Sequence, residues 1–170
     1  AVYVFVRDGD GWSQQAYLKP SHIDELDSFG HAVGISGDTI VVGASGEDSS
    51  TSGVNSVPNE EAPRSGAAYV FVRDGDTWTQ QAYFKAIDGD AEDYFGDSVA
   101  IAGDTIVIGA HGENSSTPGV NRVPNEEAER AGAAYIFERQ DGIWSQQAYL
   151  KASNPDEGDR FGCSVDISGD

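Results

Sequence analysis

The sequence contains no methionine and one cysteine, Cys163, and only 10 of its 170 residues are lysine or arginine. A single cysteine excludes an internal disulfide framework. Because 29 residues are acidic, the formal charge is −19, which argues against nucleic acid as a partner, since phosphates need Lys and Arg. The same charge disfavours an anionic membrane surface. Cations or basic partners suit such a chain better.

Long hydrophobic runs are also missing. No apolar stretch approaches the ~20 residues of a membrane span, so no membrane insertion is predicted, and no secretory signal is recognisable. No segment shows the sustained 3.6-residue apolar period of an amphipathic helix. Because the chain lacks an initiator methionine and starts inside a strand-like segment, we expect a processed product or a piece of a longer protein. Its 21 Gly, three Trp, seven Tyr and seven Phe are compatible with a sizeable core.

One stretch recurs along the chain at a constant interval. FGHAVGISGDTIVVGA at 29–44 returns as FGDSVAIAGDTIVIGA at 95–110 and begins again as FGCSVDISGD at 161–170, each time 66 residues later. A fixed period of this size indicates a solenoid, propeller or array in which each unit leans on its neighbours. Cys163 takes the place of His31 and Asp97, so we interpret it as a tolerated variation rather than a nucleophile.

Each repeat contains two hairpin signals. SVAIAGDTIVIGA has two β-branched runs around a Gly-Asp turn, and AAYVFVRDGDTWTQQAYF has a second pair around Asp-Gly. The sequence therefore predicts an all-β fold of β-propeller blades, each of four antiparallel strands, with strand one nearest the axis. We predict strands three and four of a partial blade at 1–19, complete blades at 29–85 and 95–151, and the first strand of a further blade at 161–170, all in a single repeat array.

The order FG, short strand, GDTIVVGA, GAAYVF and WTQQAYL closely resembles the integrin-like FG-GAP repeats of bacterial proteins, over essentially the whole chain. The resemblance implies a β-propeller, usually of about seven blades, that serves at or outside the cell surface as a binding or adhesion scaffold for a protein or glycan ligand. One copy of the chain cannot close such a ring. We favour a fragment of a longer propeller over a subunit that is completed by other chains, and in both cases expect open blade edges capable of self-association.

The connections between strands predict an acidic face. In a meander, the two-to-three and four-to-one connections lie at the same end of the sheets, and here they hold 18 of the 29 acidic residues against four arginines, a formal −14. The loops at 44–66 and 110–132 share polar stretches such as GVN and VPNEEA, which no sheet geometry requires. A long loop is uncommon unless it is functional or disordered, and two matching copies favour one specific conformation.

Carboxylate and amide oxygens in these connections are the ligands that Ca²⁺ prefers, so calcium is a candidate cofactor. The candidate ligands in the two-to-three connection are Glu47, Asp48, Asn55, Asn59 and Glu60, with Glu113, Asn114, Asn121, Asn125 and Glu126 in the next repeat. Those in the four-to-one connection are the pairs Asp24 and Asp27, Asp90 and Asp93, Asp156 and Asp159. The alternatives are turn capping by Asn and Asp, and salt bridges from Arg64 and Arg130 to the Glu pairs. The calcium loop that the resemblance implies, between strands one and two, is absent.

No nucleophile, acid-base pair or open metal position is recognisable, and the acidic pairs recur in every repeat, whereas a catalytic centre is normally unique. His22, His31 and His111 have no repeat counterparts, and we interpret them as surface substitutions. The sequence favours a non-enzymatic extracellular binding or adhesion module with acidic loops. One alternative is a structural subunit that forms oligomers or filaments by strand pairing between incomplete blades. A lectin-like propeller with Trp and Tyr against sugars is another, although strand alternation assigns those residues to the core.

Overall fold

The structure, a computed structural model, describes residues 1–22 and 24–169. This part of the chain contains strands and no helix, which confirms the predicted all-β class. The strands are β1 (Val2–Asp8), β2 (Gly11–Leu18), β3 (Val33–Ser36), β4 (Thr39–Ala44), β5 (Gly53–Val54), β6 (Ala67–Asp74), β7 (Thr77–Lys85), β8 (Ser98–Ala102), β9 (Thr105–Ala110), β10 (Ala133–Gln140) and β11 (Ile143–Leu150). Among the described residues, no helix has the length and apolar character that a membrane crossing requires.

The strands form three antiparallel sheets that follow the 66-residue repeat. The first sheet is the pair β1-β2, the middle sheet has the order β3-β4-β6-β7-β5, and the third sheet has the order β8-β9-β10-β11. The four-stranded meander of each repeat is thus present in the middle and third sheets. How many blades the working protein has stays a prediction.

The middle sheet has a fifth strand that the sequence did not predict. Gly53 and Val54, within the loop 44–66, pair with Lys85 and Phe84 at the end of β7. At the corresponding place in the third sheet, the described residues form a bridge between Val120 and Leu150 instead of a strand. The long loop therefore leaves the inner hairpin, crosses the end of the sheet and covers part of its outer edge, which would otherwise carry unpaired backbone groups.

The segment predicted as the first strand of a further blade is not a strand in the described residues 161–169. Its ladder contact is a parallel bridge between Phe161 and Gly132. In the other sheets the corresponding strands, β3 and β8, are held by β4 and β9. No such neighbour pairs with 163–169 in the described chain, which explains the missing strand geometry.

The core lies between the sheets. All six residues of β4 are buried, because Val41 and Phe84 face the third sheet while Val42 and Tyr69 face the first. A strand buried on both faces reads as a continuous apolar run, which explains TIVVGA. Phe84 stacks on Phe137 of the third sheet with ring centroids 4.4 Å apart; burial of such a side chain contributes about 1.5–3 kcal/mol.

Glycine in the FG and GA positions permits close contact between neighbouring repeats. A Cβ added to Gly43 would lie 1.9 Å from the carbonyl oxygen of Gly96, and one added to Gly109 would lie 1.9 Å from that of Gly162. Gly96 has φ +88°, which side chains rarely adopt. These two glycines therefore recur because backbone meets backbone at each junction between repeats.

The two ends of the sheets differ as the meander predicts. At one end lie the short turns, where Arg73 donates from its Nε to Asp38 Oδ1 at 2.7 Å and so joins the two hairpins of the repeat. At the other end lie the long connections, where Tyr94 N donates to the Arg64 carbonyl at 3.0 Å. We call the surface formed by residues 20–28, 44–66, 86–94, 110–132 and 152–160 the loop face, apart from the undescribed residue 23.

Candidate functional site

Glu47, a predicted calcium ligand, is buried in the loop face and bound to protein donors. Its Oε1 accepts a hydrogen bond from the Tyr83 hydroxyl at 2.7 Å, and its Oε2 accepts one from Lys85 Nζ at 2.7 Å. The Ser49 backbone N–H donates to Oε2 at 3.1 Å. Both carboxylate oxygens are therefore engaged within the protein.

The next repeat reproduces this arrangement. Glu113 accepts hydrogen bonds from the Tyr149 hydroxyl at 2.8 Å and from Lys151 Nζ at 2.6 Å, and Ser115 N donates to it at 3.1 Å. Because two repeats with different neighbours build the same contacts, the network is a property of the repeat. We call Glu47, Tyr83 and Lys85, with Glu113, Tyr149 and Lys151, the two lysine–glutamate networks.

The sequence reasoning missed the lysines, although a signal was present. The chain has three lysines, Lys19, Lys85 and Lys151, and they lie 66 residues apart at the end of the fourth strand of each repeat. The salt bridges from Arg64 and Arg130 to the Glu pairs, which the sequence offered as an alternative to calcium, do not form in the described chain. Arg130 instead pairs with Glu92 at 3.6 Å; the Arg64 side chain donates to the Tyr94 hydroxyl at 3.5 Å.

The predicted amide ligands order the loops from within. Asn59 Oδ1 accepts from Ser50 N at 2.9 Å, and Asn125 does the same with Ser116 N at 2.8 Å. Asn55 continues the pairing of β5 with β7 by one residue. Its N–H donates to the Tyr83 carbonyl at 2.8 Å, and its Oδ1 accepts from Tyr83 N at 2.9 Å. Asn121 repeats this pair of bonds with Tyr149.

The four-to-one Asp pairs adopt the turn-capping role that the sequence left open. Asp27 Oδ2 accepts from Asp24 N at 2.8 Å, and Asp93 Oδ2 accepts from Asp90 N at 2.8 Å. Asp159 accepts from Asp156 N at 2.9 Å in the same way. The second Asp of each pair therefore closes a turn on the first.

The remaining predicted ligands divide between loop contacts and solvent. Asp48 Oδ1 accepts from Arg64 N at 2.7 Å, and Asn114 Oδ1 accepts from Arg130 N at 2.9 Å. Glu126 Oε2 accepts from the Asn114 side chain at 3.2 Å. Glu60 is exposed.

The fold brings carboxylates of the two predicted ligand sets close enough to repel one another, which contributes to raised pKa values in both Asp27 and Asp93. The pKa of Asp93 is raised to about 8, by burial first and also by repulsion from Glu113 and Asp90, which together outweigh the lowering effect of the hydrogen bond from Asp90 N. The pKa of Asp27 is also raised, by burial first and then by Glu47 and Asp24. Carboxylates from both connections therefore repel one another at each junction of the loop face.

A resident calcium ion needs six to eight oxygen ligands, and the predicted set does not fit one as it is arranged. Its buried carboxylate and amide oxygens accept hydrogen bonds from lysine, tyrosine and backbone donors. In the described residues, no group of three or more His, Cys, Asp or Glu is placed to hold a metal ion. Protein donors therefore occupy these oxygens in the described structure.

One cluster, which extends from the loop face to His31 and Asp97 just outside it, was not expected. His31 Nε2 lies 3.1 Å from Asp97 Oδ1, and His111 Nδ1 lies 3.0 Å from Asp97 Oδ2, so one carboxylate lies between rings from consecutive repeats. Tyr94 stacks on His111 with centroids 4.9 Å apart. These residues line an open cleft of about 350 Å³ together with Arg64. Periodicity could not reveal the cluster, because neither histidine has a counterpart 66 residues away.

Comparison with protein families matches residues 12–71, 78–137 and 144–170 to the family described as FG-GAP repeat. The matches begin at Trp12, Trp78 and Trp144, and so keep the 66-residue period. Each match begins in the fourth strand of a four-stranded meander, namely β2, β7 or β11, so the family's repeat unit is offset by one strand from the meander. No curated protein matches the chain.

Proposed function

The chain belongs to the FG-GAP repeat family, an integrin-like repeat of the binding and adhesion type, and from this we propose that it is a non-enzymatic extracellular or cell-surface module that binds a protein ligand. The loop face is the proposed binding surface. Its formal charge of −14 favours basic groups on the ligand, because complementary potentials steer association and select partners.

The observation that carries the proposal is that the loops expose glutamates to solvent, while buried or inward-facing side chains bind the loops to the sheets. Glu60 and Glu61 are exposed, as are Glu126 and Glu127 in the next repeat, while Glu47 and the Asn side chains bind the loop to its own sheet. A surface that is already ordered loses less conformational entropy on binding. Two matching copies also allow a ligand to engage both repeats, which adds avidity.

The test compares two variants that each remove four negative charges. The loop variant carries Glu60→Gln, Glu61→Gln, Glu126→Gln and Glu127→Gln, and the control carries Asp8→Asn, Asp10→Asn, Asp74→Asn and Asp141→Asn at the short-turn end. The probe is an array of immobilised matrix and cell-surface proteins with a parallel glycan array, at physiological salt.

We expect binding to a protein that carries basic groups, weakened about tenfold or more by the loop variant, which corresponds to about 1.4 kcal/mol, and nearly unchanged in the control. Equal losses in both variants would mean that net charge alone acts. Binding that survives the loop variant would exclude the loop face as the site. Binding confined to the glycan array would favour the lectin-like alternative.

A second candidate, a self-associating structural subunit, is favoured by the first sheet. Tyr3 and Phe5 are 56% and 55% exposed, whereas their counterparts Tyr69 and Phe71 are 1% and 3% exposed. Within residues 1–22 and 24–169, β1 pairs only with β2, while β6 has a neighbour on both sides. An open apolar edge is a template for another strand. Light scattering should then show a mass that grows with concentration, and a strict monomer at high concentration would count against this candidate.

A further inference from the structure

The chain places all three of its lysines at one repeat position, and the described structure buries two of them. Lys85 is 1% exposed and Lys151 is 6% exposed, whereas Lys19 is exposed. A buried lysine is rare unless it is paired. Each buried lysine is paired with the glutamate that opens the long loop of its own repeat.

The Lys85 ammonium joins parts of the protein that are far apart in sequence. Its Nζ lies 2.7 Å from Glu47 Oε2 at the start of the loop and 2.7 Å from Ser65 Oγ at its end. Ser65 Oγ in turn donates to the Ser49 carbonyl at 2.6 Å. One charged group at the end of β7 therefore ties both ends of the loop 44–66 together.

By binding oxygen atoms from both ends of the loop, the Lys85 ammonium has the same role as a metal cation bound in an acidic loop. The ammonium offers three donors to oxygen atoms and carries the positive charge that the buried carboxylate needs. Breaking such a buried pair by removing one partner is strongly destabilising, because the other charge is left unpaired. Ser65 has Ala131 as its counterpart, so in the next repeat Lys151 makes its side-chain bond, as far as the structure describes the chain, to Glu113 alone.

We propose that Lys85 and Lys151 are positioning residues that act as the resident cations of the loops 44–66 and 110–132, so that the loops are ordered without calcium. The loop order is a property of the chain alone, whatever the loop face binds. The role proposed for Lys85 and Lys151 can therefore be tested independently of the function proposed above.

The first test is the melting temperature of the whole chain in EDTA, in Mg²⁺ and in Ca²⁺ at matched ionic strength. Magnesium is needed because any divalent cation screens the repulsion within a strongly acidic chain. We expect the Ca²⁺ and Mg²⁺ values to agree within about 1 °C. A rise specific to Ca²⁺ of more than about 3 °C would overturn the proposal.

The second test uses Lys85→Ala with a Glu-specific protease, which can cut after the exposed Glu60 and Glu61. We expect cleavage in the loop 44–66 to become at least about tenfold faster than in the wild type, while the loop 110–132 of the same molecule stays protected, because its own lysine remains. Fragment masses distinguish the two sites. Lys19→Ala is the matched control and should leave both loops unchanged.

Chemical rescue separates a cation site from simple loss of packing. Propylammonium fits the space left by the lysine side chain and should restore protection of the loop in Lys85→Ala, whereas an equal concentration of Ca²⁺ should not. Rescue by Ca²⁺ with none by propylammonium would overturn the proposal. If Lys85→Ala does not fold, the double variant Lys85→Met with Glu47→Gln removes both charges, and wild-type protection of its loop would show that no cation is required.

Discussion

Trp144 in the third sheet donates a hydrogen bond from its indole Nε1 to Gln81 Oε1 in the middle sheet, at 2.8 Å. Trp78 makes the same bond to Gln15 at 2.9 Å. In β7, Ala82 pairs with Val70 and Gln80 pairs with Phe71, so Gln81 is the extra residue of a β-bulge. A bulge re-aims a side chain, and here it directs the second glutamine of the QQ motif towards the next repeat.

Gln81→Leu should therefore destabilise the junction between the repeats. The substitution leaves the indole N–H of the buried Trp144 without its acceptor, and an unpaired buried donor costs about 1–3 kcal/mol. The free energy of unfolding by urea measures this loss. Gln147→Leu is the matched control, since Gln147 is the corresponding bulge residue in β11. Its side chain bonds only to Ser145 in the described structure. The free energy of unfolding of this variant should stay within about 0.5 kcal/mol of the wild type. Equal losses at both positions would contradict a junction role.

Much of the fold could be predicted from sequence because the hairpin turns and the β-branched runs are local signals. The 66-residue period then allowed the same four strands to be assigned to each repeat. The short strand β5 could not be predicted, because Gly53 and Val54 pair with β7 through a loop whose path depends on tertiary contacts. The bulge at Gln81 escaped notice for the same reason, as QQ also fits a regular edge strand.

The loop face was predictable in position and charge but not in chemistry. Acidic and amide residues at repeated positions indicated oxygen ligands, yet the sequence cannot tell whether Glu47 faces an ion in solvent or the ammonium of Lys85. The period of the three lysines was available as a signal. The contact of His31 and His111 with Asp97 was not, since it joins unrepeated residues across a junction that only the folded structure creates.

Gly43→Ala should destabilise the protein far more than the addition of one methyl group suggests. The new Cβ would lie 1.9 Å from the carbonyl oxygen of Gly96, so the backbones of two repeats would have to separate. We expect a loss of more than about 3 kcal/mol or a failure to fold, measured by soluble yield and urea unfolding. Gly11→Ala is the control, because its nearest atom would be 3.7 Å away. A small effect at Gly43 would show that the junction can relax.

Asn55 should be needed to hold the loop 44–66 on the outer edge. Asn55→Ala removes the acceptor of Tyr83 N and introduces a residue that disfavours the observed φ of +57°. A loss of about 1–2 kcal/mol is expected. Asn55→Gly separates the two causes, since glycine tolerates the φ but has no side-chain acceptor. If both variants match the wild type in urea unfolding and in loop proteolysis, Asn55 does not hold the loop.

Asp93 should make the chain less stable as the pH rises. Its pKa in the folded state is raised to about 8 by burial, whereas an unfolded Asp titrates near 3.9. Between these values the folded state binds a proton that the unfolded state has released. The stability contributed by the neutral carboxyl is therefore fully present below about pH 4 and is lost as the pH rises towards about 8, by at most about 1.4 kcal/mol per pH unit.

Asp93→Asn imitates the neutral carboxyl, because its amide oxygen can still accept from Asp90 N and it carries no charge to bury. The variant should gain stability over the wild type steadily from pH 5 to pH 8, measured by urea unfolding at each pH. Asp159→Asn is the matched control, as Asp159 makes the same bond to Asp156 but is exposed. Its difference from the wild type should not change with pH. Parallel curves for the wild type and Asp93→Asn would mean that Asp93 is ionised in the folded protein, and that the loop face tolerates its charge at that depth.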